Sequence, residues 1–273
     1  MLRFLKVLLF NTGPKYDWKK VTLWVTLSCF SISGSATACY LFYRYTQHAQ
    51  VAYASCEIRA IVQTSPQTRL KYTSLQTAYL AEILGLSVDH PIKLGEFDLD
   101  IAKKRLLATH AILDVRLKKM KPDVLFIQYS MRAPFAFLED YTNTALDEEG
   151  TLFPYAPFYP PRHLPRIYLG EKRPLDPWGT TIEKNLFDLA QNLMTTLGYE
   201  NIERVDLSRA EADSSGQREI IILLKEGALI RLSPKNYGQQ LLNYSILKRN
   251  FTNEVQGTII DLRIPEVAYI QKQ

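Results

Sequence analysis

The sequence predicts an α+β protein with one transmembrane helix near its N-terminus and two compact domains after it. Three observations lead to this prediction. Residues 21–43 contain no charged side chain, residues 55–132 follow the element order β-α-α-β-β, and residues 133–273 combine short strands and prolines with one strongly amphipathic helix. We therefore divide the chain into a cytoplasmic tail (1–20), a transmembrane helix (21–43), a polar spacer (44–54), a first domain (55–132) and a second domain (133–273).

The segment 21–43 is long enough to cross a membrane. At about 1.5 Å per residue it reaches roughly 35 Å as a helix, and the hydrocarbon layer of a bilayer is ~30 Å thick. The tail before it carries five Lys or Arg residues and one Asp, and short basic segments stay in the cytoplasm. We therefore expect a single-pass type II protein whose N-terminus is cytoplasmic and whose two domains lie outside the membrane.

Two alternatives to a permanent anchor stay open at this stage. The first is a signal peptide cleaved after the small residues Ala36, Thr37 and Ala38, and the second is a lipoprotein attached through Cys39. A mature terminus normally turns polar, whereas apolar and aromatic residues continue here to Tyr45. The uncleaved anchor is therefore favoured.

The first domain reads as one sheet covered by two helices on a single face. Its hydrophobic periodicity and turn residues predict these elements in order: a strand at 56–63, helices at 74–84 and 98–109, and strands at 112–119 and 124–131.

The second domain reads as a mixed α/β unit built on a largely antiparallel sheet. Its predicted elements are two strands around an acidic turn in 143–154, an ordered surface loop at 154–165, a helix at 181–197 with a capping box of Thr180 and Glu183, a hairpin of 219–224 and 228–232, a helix at 236–249, and strands at 257–263 and 267–270.

Composition and motifs argue against an enzyme. The outer part is close to neutral, so it offers no general basic surface for nucleic acid. Only Cys56 lies beyond the membrane, so no disulfide forms there, and the four histidines show no metal-ligand spacing. We expect no cofactor, no metal and no small-molecule substrate. A rival interpretation is a single-pass glycosyltransferase, because Asp98 and Asp100 form an Asp-x-Asp, but an N-cap of the helix beginning near Ile101 explains either of them.

Four short motifs resemble those of the FtsQ/DivIB family of bacterial cell-division proteins. Residues 132–137 (RAPFAF) are similar to R-x-P-x-A, and residues 146–153 to L-x-D-x-x-G-x-x-F. Residues 164–170 are similar to LP-x-x-x-x-G, and residues 260–263 to the closing x-DLR-[Y/F]. They occur in family order behind a suitable anchor.

The resemblance implies a POTRA domain at 55–132, a β domain at 133–273 and a scaffold without chemistry of its own. Such a protein sits in the bacterial inner membrane at the division septum. It holds FtsB and FtsL and, through them, the peptidoglycan synthases FtsW and FtsI. A chaperone for outer-membrane assembly or secretion that shares the POTRA domain is a further alternative, although it would lack the four motifs.

In the family, the final strand segment is the edge to which FtsB adds a strand. Here Ile264 replaces the family's aromatic residue after Arg263, and Pro265, which follows it, cannot donate to a strand ladder. The docking edge is therefore expected to shift toward 267–270, where Tyr269 supplies an aromatic ring. The residues that we assign to partner binding are Asp261, Arg263, Ile264, Val267 and Tyr269.

Overall fold

The computed structural model describes residues 18–64, 74–170, 178–250 and 257–272. The chain divides into two compact units, one made of 1–57 with 93–96 and the other of 58–92 with 97–273. Most of the expected cytoplasmic tail lies outside the described residues.

The first unit is dominated by one long helix, α1 (Trp18–Ala54), of 37 residues. It is long and apolar enough to cross a membrane, and at 1.5 Å per residue it measures about 55 Å. The residues of the expected spacer, 44–54, continue the helix. They contain no Pro or Gly and are rich in Ala and Gln, which are compatible with helix.

The end of α1 is fixed by a short segment of the same unit. The Gly95 N–H donates to the Ala54 carbonyl over 2.9 Å, and the Leu94 N–H donates to the Cys56 carbonyl over 2.7 Å. A Cβ at position 95 would lie 2.7 Å from that Ala54 oxygen. Only glycine therefore permits this approach.

The second unit starts with the predicted order β-α-α-β-β. Its elements are β1 (Ala60–Gln63), α2 (Thr77–Leu84), α3 (Leu99–Leu107), β2 (Ile112–Met120) and β3 (Val124–Met131). The strands form a sheet of order β1-β3-β2, in which β1 is parallel and β2 antiparallel to β3. The strand expected to begin at Cys56 begins only at Ala60.

Both helices pack on one face of this sheet, as predicted. Leu84 of α2 and Leu106 of α3 share a core cluster with Leu125 and Ile127 of β3. Asp98 is the N-cap of α3, since its carboxylate accepts from the backbone of Asp100 and Ile101 over 2.8 and 3.0 Å. This local role accounts for the first aspartate of the Asp-x-Asp.

A larger sheet fills the rest of the unit. Its elements in chain order are β4 (Ala136–Leu138), β5 (Thr144–Leu146), β6 (Leu152–Pro154), β7 (Arg166–Tyr168), α4 (Lys184–Leu197), β8 (Ile202–Asp206), β9 (Ile220–Leu224), β10 (Leu229–Leu232), α5 (Tyr237–Asn250), β11 (Thr258–Asp261) and β12 (Tyr269–Lys272). The nine described strands have the order β12-β11-β10-β9-β8-β7-β4-β5-β6.

The sheet is mixed and, among the described pairs, largely antiparallel, as predicted. The pairs β4–β7, β7–β8 and β10–β11 are parallel, and the other described pairs are antiparallel. Helix α4 connects β7 to β8 and helix α5 connects β10 to β11, and a helical crossover is what joins parallel neighbours. Strands β4, β7 and β8 were not predicted.

Helix α4 begins later than the predicted capping box requires. Its first residue is Lys184 and its N-cap is Glu183, whose side chain makes no capping hydrogen bond, whereas the box places the N-cap at Thr180. Four side chains of α4 are buried, namely Phe187, Ala190, Leu193 and Met194. The predicted stop at Gly198, with φ 85°, is confirmed.

The segment 154–165 is irregular beyond Pro154, as predicted, but it is only partly a surface loop. Tyr155, Phe158 and Tyr159 are buried and belong to the same core cluster as the first sheet. Tyr79 of α2 meets Phe158 edge to face with ring centroids 5.4 Å apart. Aromatic side chains from the second predicted domain therefore complete the core of the first.

Candidate docking edge

The two ends of the nine-stranded sheet differ in how far they are covered. At one end all three residues of β6 are buried. The Leu152 N–H donates to the Thr180 carbonyl and the Gly179 N–H donates to the Leu152 carbonyl, both over 2.8 Å. This edge is therefore already paired with its own chain.

The other end is β12, and all four of its residues are exposed. Strand β12 pairs antiparallel with β11, with Asp261 opposite Tyr269 and Ile260 opposite Ile270. On its outer side no strand of the described residues follows. An edge of this kind presents backbone N–H and C=O groups that can pair with another chain.

Three of the five predicted binding residues lie exposed at this edge. Ile264, Val267 and Tyr269 are 65%, 55% and 65% exposed. The first two belong to the connection between β11 and β12, which turns at Glu266 with a φ of 64°. The structure therefore places an apolar surface beside the outer strand.

A groove of about 670 Å³ lies between this connection and α5, and the sequence analysis missed it. Its walls include Ile246 and Leu247 of α5 and Ile264 and Val267 of the connection. A signal was present in the sequence, because α5 has apolar residues on more than one side. Tyr244 is buried, whereas Ile246 is 53% exposed.

The other two predicted residues, Asp261 and Arg263, point into an ion-pair network instead. The Arg263 guanidinium lies 2.7 Å from a carboxylate oxygen of Asp261 and 3.3 Å from one of Glu219. Leu262 between them is buried in the core. The exposed apolar residues and the charged residues of the predicted site thus occupy different surroundings.

This pairing shifts the titration of both groups. Burial by itself would raise the pKa of the Asp261 carboxyl, but hydrogen bonds and positive charge from Arg263, together with the charge of Arg231, hold that pKa below its ordinary value. The hydrogen bond to Asp261 raises the pKa of Arg263. Both side chains therefore stay charged around neutral pH.

Elsewhere, the acidic turn 147–149 is held by its own backbone. The Asp147 carboxylate accepts from the N–H groups of Glu149 and Thr151 over 3.0 and 2.8 Å. Within the part of the chain that the structure describes, no group of three His, Cys, Asp or Glu residues is arranged to hold a metal ion.

No protein-family model and no curated protein matches the chain. Some residues of the motifs that resemble the FtsQ/DivIB family have roles in the fold itself. Arg132 of the first motif donates to Asp147 of the second over 2.6 Å, and Gly170 of the third has a φ of 73°. The first contact links the segment after β3 to the turn between β5 and β6, and the positive φ of Gly170 suits a glycine.

Proposed function

We propose that the protein is a membrane-anchored, non-enzymatic scaffold of the FtsQ/DivIB type. Residues 55–132 would be its POTRA domain, and β12 would be the edge to which an FtsB-like partner adds a strand, with FtsL, FtsW and FtsI held through it. The observation that carries the proposal is the contrast between the two ends of one sheet. The β6 edge is paired with its own chain, whereas β12 is exposed beside an apolar groove.

The size of the edge indicates how the binding energy is divided. A four-residue strand offers about two to four backbone hydrogen bonds, each contributing roughly 0.5–1.5 kcal/mol net. Micromolar affinity requires about 8 kcal/mol, so the backbone alone is too weak. Burial of about 300 Å² of apolar surface contributes roughly 7 kcal/mol before the cost of association. We therefore propose that the strand fixes the register and that the apolar side chains supply most of the affinity.

The test is the affinity of full-length protein in detergent micelles for the outer segment of an FtsB-like protein. Tyr269→Ala removes a large exposed ring, and we expect it to weaken binding about tenfold, or about 1.4 kcal/mol. Arg263→Glu places like charges beside Asp261 and Glu219 and should also weaken binding. Val88→Ala, at a 97% exposed position of the first domain, is the control. If both edge variants bind like the wild type, the docking edge is not at β12.

A second test separates a divisome scaffold from other envelope proteins. A fluorescently tagged copy should form a band at mid-cell in dividing cells, and this band should depend on residues 21–43. Uniform labelling of the envelope would favour the alternative of an assembly or secretion chaperone.

A further inference from the structure

Five charged side chains from four segments of the chain meet at the end of the sheet where β11 leads into the β11–β12 connection. They are Arg209, Glu219, Arg231, Asp261 and Arg263. Glu219, which immediately precedes β9, is the only one whose side chain is almost fully buried, at 5% exposure. We call this group the Glu219 cluster.

Glu219 binds three of the other members through its two carboxylate oxygens. Oε1 lies 3.2 Å from the Arg209 guanidinium. Oε2 accepts from Arg231 Nε over 3.0 Å and lies 3.3 Å from Arg263. Asp261 closes the cluster, since it lies 3.4 Å from Arg231 and 2.7 Å from Arg263.

The contacts of Glu219 connect β9 and β10 to the start of the β11–β12 connection. A backbone hydrogen bond makes the same connection beside these side chains, since the Leu262 N–H donates to the Arg231 carbonyl over 3.0 Å. Beyond Arg263 the connection is exposed, and β12 is paired on one side through four residues. So short an edge strand has little packing of its own to hold it in register.

We infer that Glu219 is a positioning residue for the docking edge. Its carboxylate pairs with Arg263, which also donates hydrogen bonds to Asp261. Arg263 fixes the point from which the connection turns, and β12 is thereby kept paired with β11. Only one consequence of this inference rests on the proposed function. If a partner binds the ordered edge, its apparent affinity falls as the fraction of molecules with an ordered edge falls.

The experiment is amide hydrogen exchange on the full-length protein in detergent micelles without any partner. Glu219→Gln keeps the shape of the side chain and removes its charge. We expect the amides of β12 that are hydrogen-bonded to β11 to exchange at least about tenfold faster, while those of β8, deep in the same sheet, keep the wild-type rate. Glu226→Gln is the matched control, because Glu226 lies in the β9–β10 turn and pairs with Lys248 over 2.9 Å, away from the cluster.

Arg263→Met tests the same link from its other end. It should speed exchange in β12 to a similar degree, and the double variant with Glu219→Gln should add little, since both changes break one connection. The inference is overturned if β12 keeps its wild-type exchange rate in Glu219→Gln, or if β8 accelerates equally, which would mark a general loss of stability. Additive effects in the double variant would overturn it as well.

A binding measurement on the same variants distinguishes the two proposals. If β12 exchanges faster in Glu219→Gln but the wild type itself fails to bind an FtsB-like segment, the positioning role stands and the proposed partner is wrong. If the wild type binds and Glu219→Gln binds equally well despite faster exchange, the consequence for affinity is refuted.

Discussion

The buried ion pair between Arg132 and Asp147 should be a main support of the second unit. Arg132 follows the last strand of the first sheet, and Asp147 lies in the turn between β5 and β6. Their side chains are 18% and 9% exposed and 2.6 Å apart. Arg132 also donates from Nε to the His110 carbonyl over 3.0 Å, and its own carbonyl accepts from the Tyr159 hydroxyl over 2.8 Å.

Two substitutions of Asp147 divide its contribution. Asp147→Ala leaves the largely buried Arg132 charge without its partner. It also removes the oxygen that accepts hydrogen bonds from the backbone N–H groups of Glu149 and Thr151, so we expect a loss of about 4 kcal/mol in unfolding free energy. Asp147→Asn keeps an oxygen for those backbone donors but turns an NH2 group toward Arg132 in place of the second carboxylate oxygen, and we expect a smaller loss of about 2 kcal/mol. Either value is a large part of the roughly 5–15 kcal/mol by which domains are stable.

Urea unfolding of full-length protein in detergent micelles measures both values, followed through the fluorescence of Trp178 in a background in which the other two tryptophans, Trp18 and Trp24, are replaced by Phe. Glu139→Gln is the control, because the pair of Glu139 with Arg204 is about one-third exposed on each side and should contribute below about 1 kcal/mol. The reasoning is refuted if Asp147→Asn costs as much as Asp147→Ala. It is equally refuted if neither costs more than the control.

Three further predictions concern single sites. Gly179→Ala places a Cβ 2.6 Å from the His110 ring at a φ of 85° and should destabilise the protein by about 1–3 kcal/mol. Gly238→Ala lies in α5, where an added Cβ meets no atom within 4 Å, and should stabilise the protein by about 0.5–1 kcal/mol. Thermal melts in which both variants change stability in the same direction would contradict these two predictions. Burial raises the pKa of Tyr244, so its contribution to stability is present below the ordinary tyrosine pKa and lost as pH rises above it; Tyr244→Phe should therefore lose less stability in alkali than the wild type. Backbone N–H donors lower the pKa of Asp98, so its stabilisation is lost as pH falls below the ordinary aspartate pKa; the wild type and Asp98→Ala should differ at neutral pH and converge in acid, and a difference that persists in strong acid would argue against the cap.

Local sequence signals were sufficient wherever one stretch of chain decides its own structure. The uncharged run 21–43 lies within the helix that can cross a membrane. Gly85, in the left-handed region at φ 70°, ends α2, and Asp98 caps α3. Hairpin β9–β10 closes at Gly227, whose φ is 86°. Each of these features depends on helix length, capping or turn geometry, which act over a few residues.

The same signals failed where distant segments decide the outcome. Prolines and aromatic residues at 154–165 predicted an exposed loop, yet Tyr155 and Phe158 are buried in the core cluster of the first sheet. Thr180 and Glu183 fit the pattern of a capping box, but α4 begins at Lys184 with Glu183 as its N-cap. The polarity of 44–54 marked it as a spacer and did not show that the helix runs on to Ala54.

The sequence by itself determined which stretch is apolar enough for a membrane and where most helices and strands lie, because these properties depend on neighbours along the chain. Only the tertiary structure decided which sheet edge stays exposed and which is paired with its own residues. It also decided that Arg263 turns toward the buried Glu219, 44 positions earlier in the sequence. Strand order and ion pairs depend on which distant segments contact each other. The free energy of those contacts comes from side-chain packing and charge pairs, which the local sequence pattern does not specify.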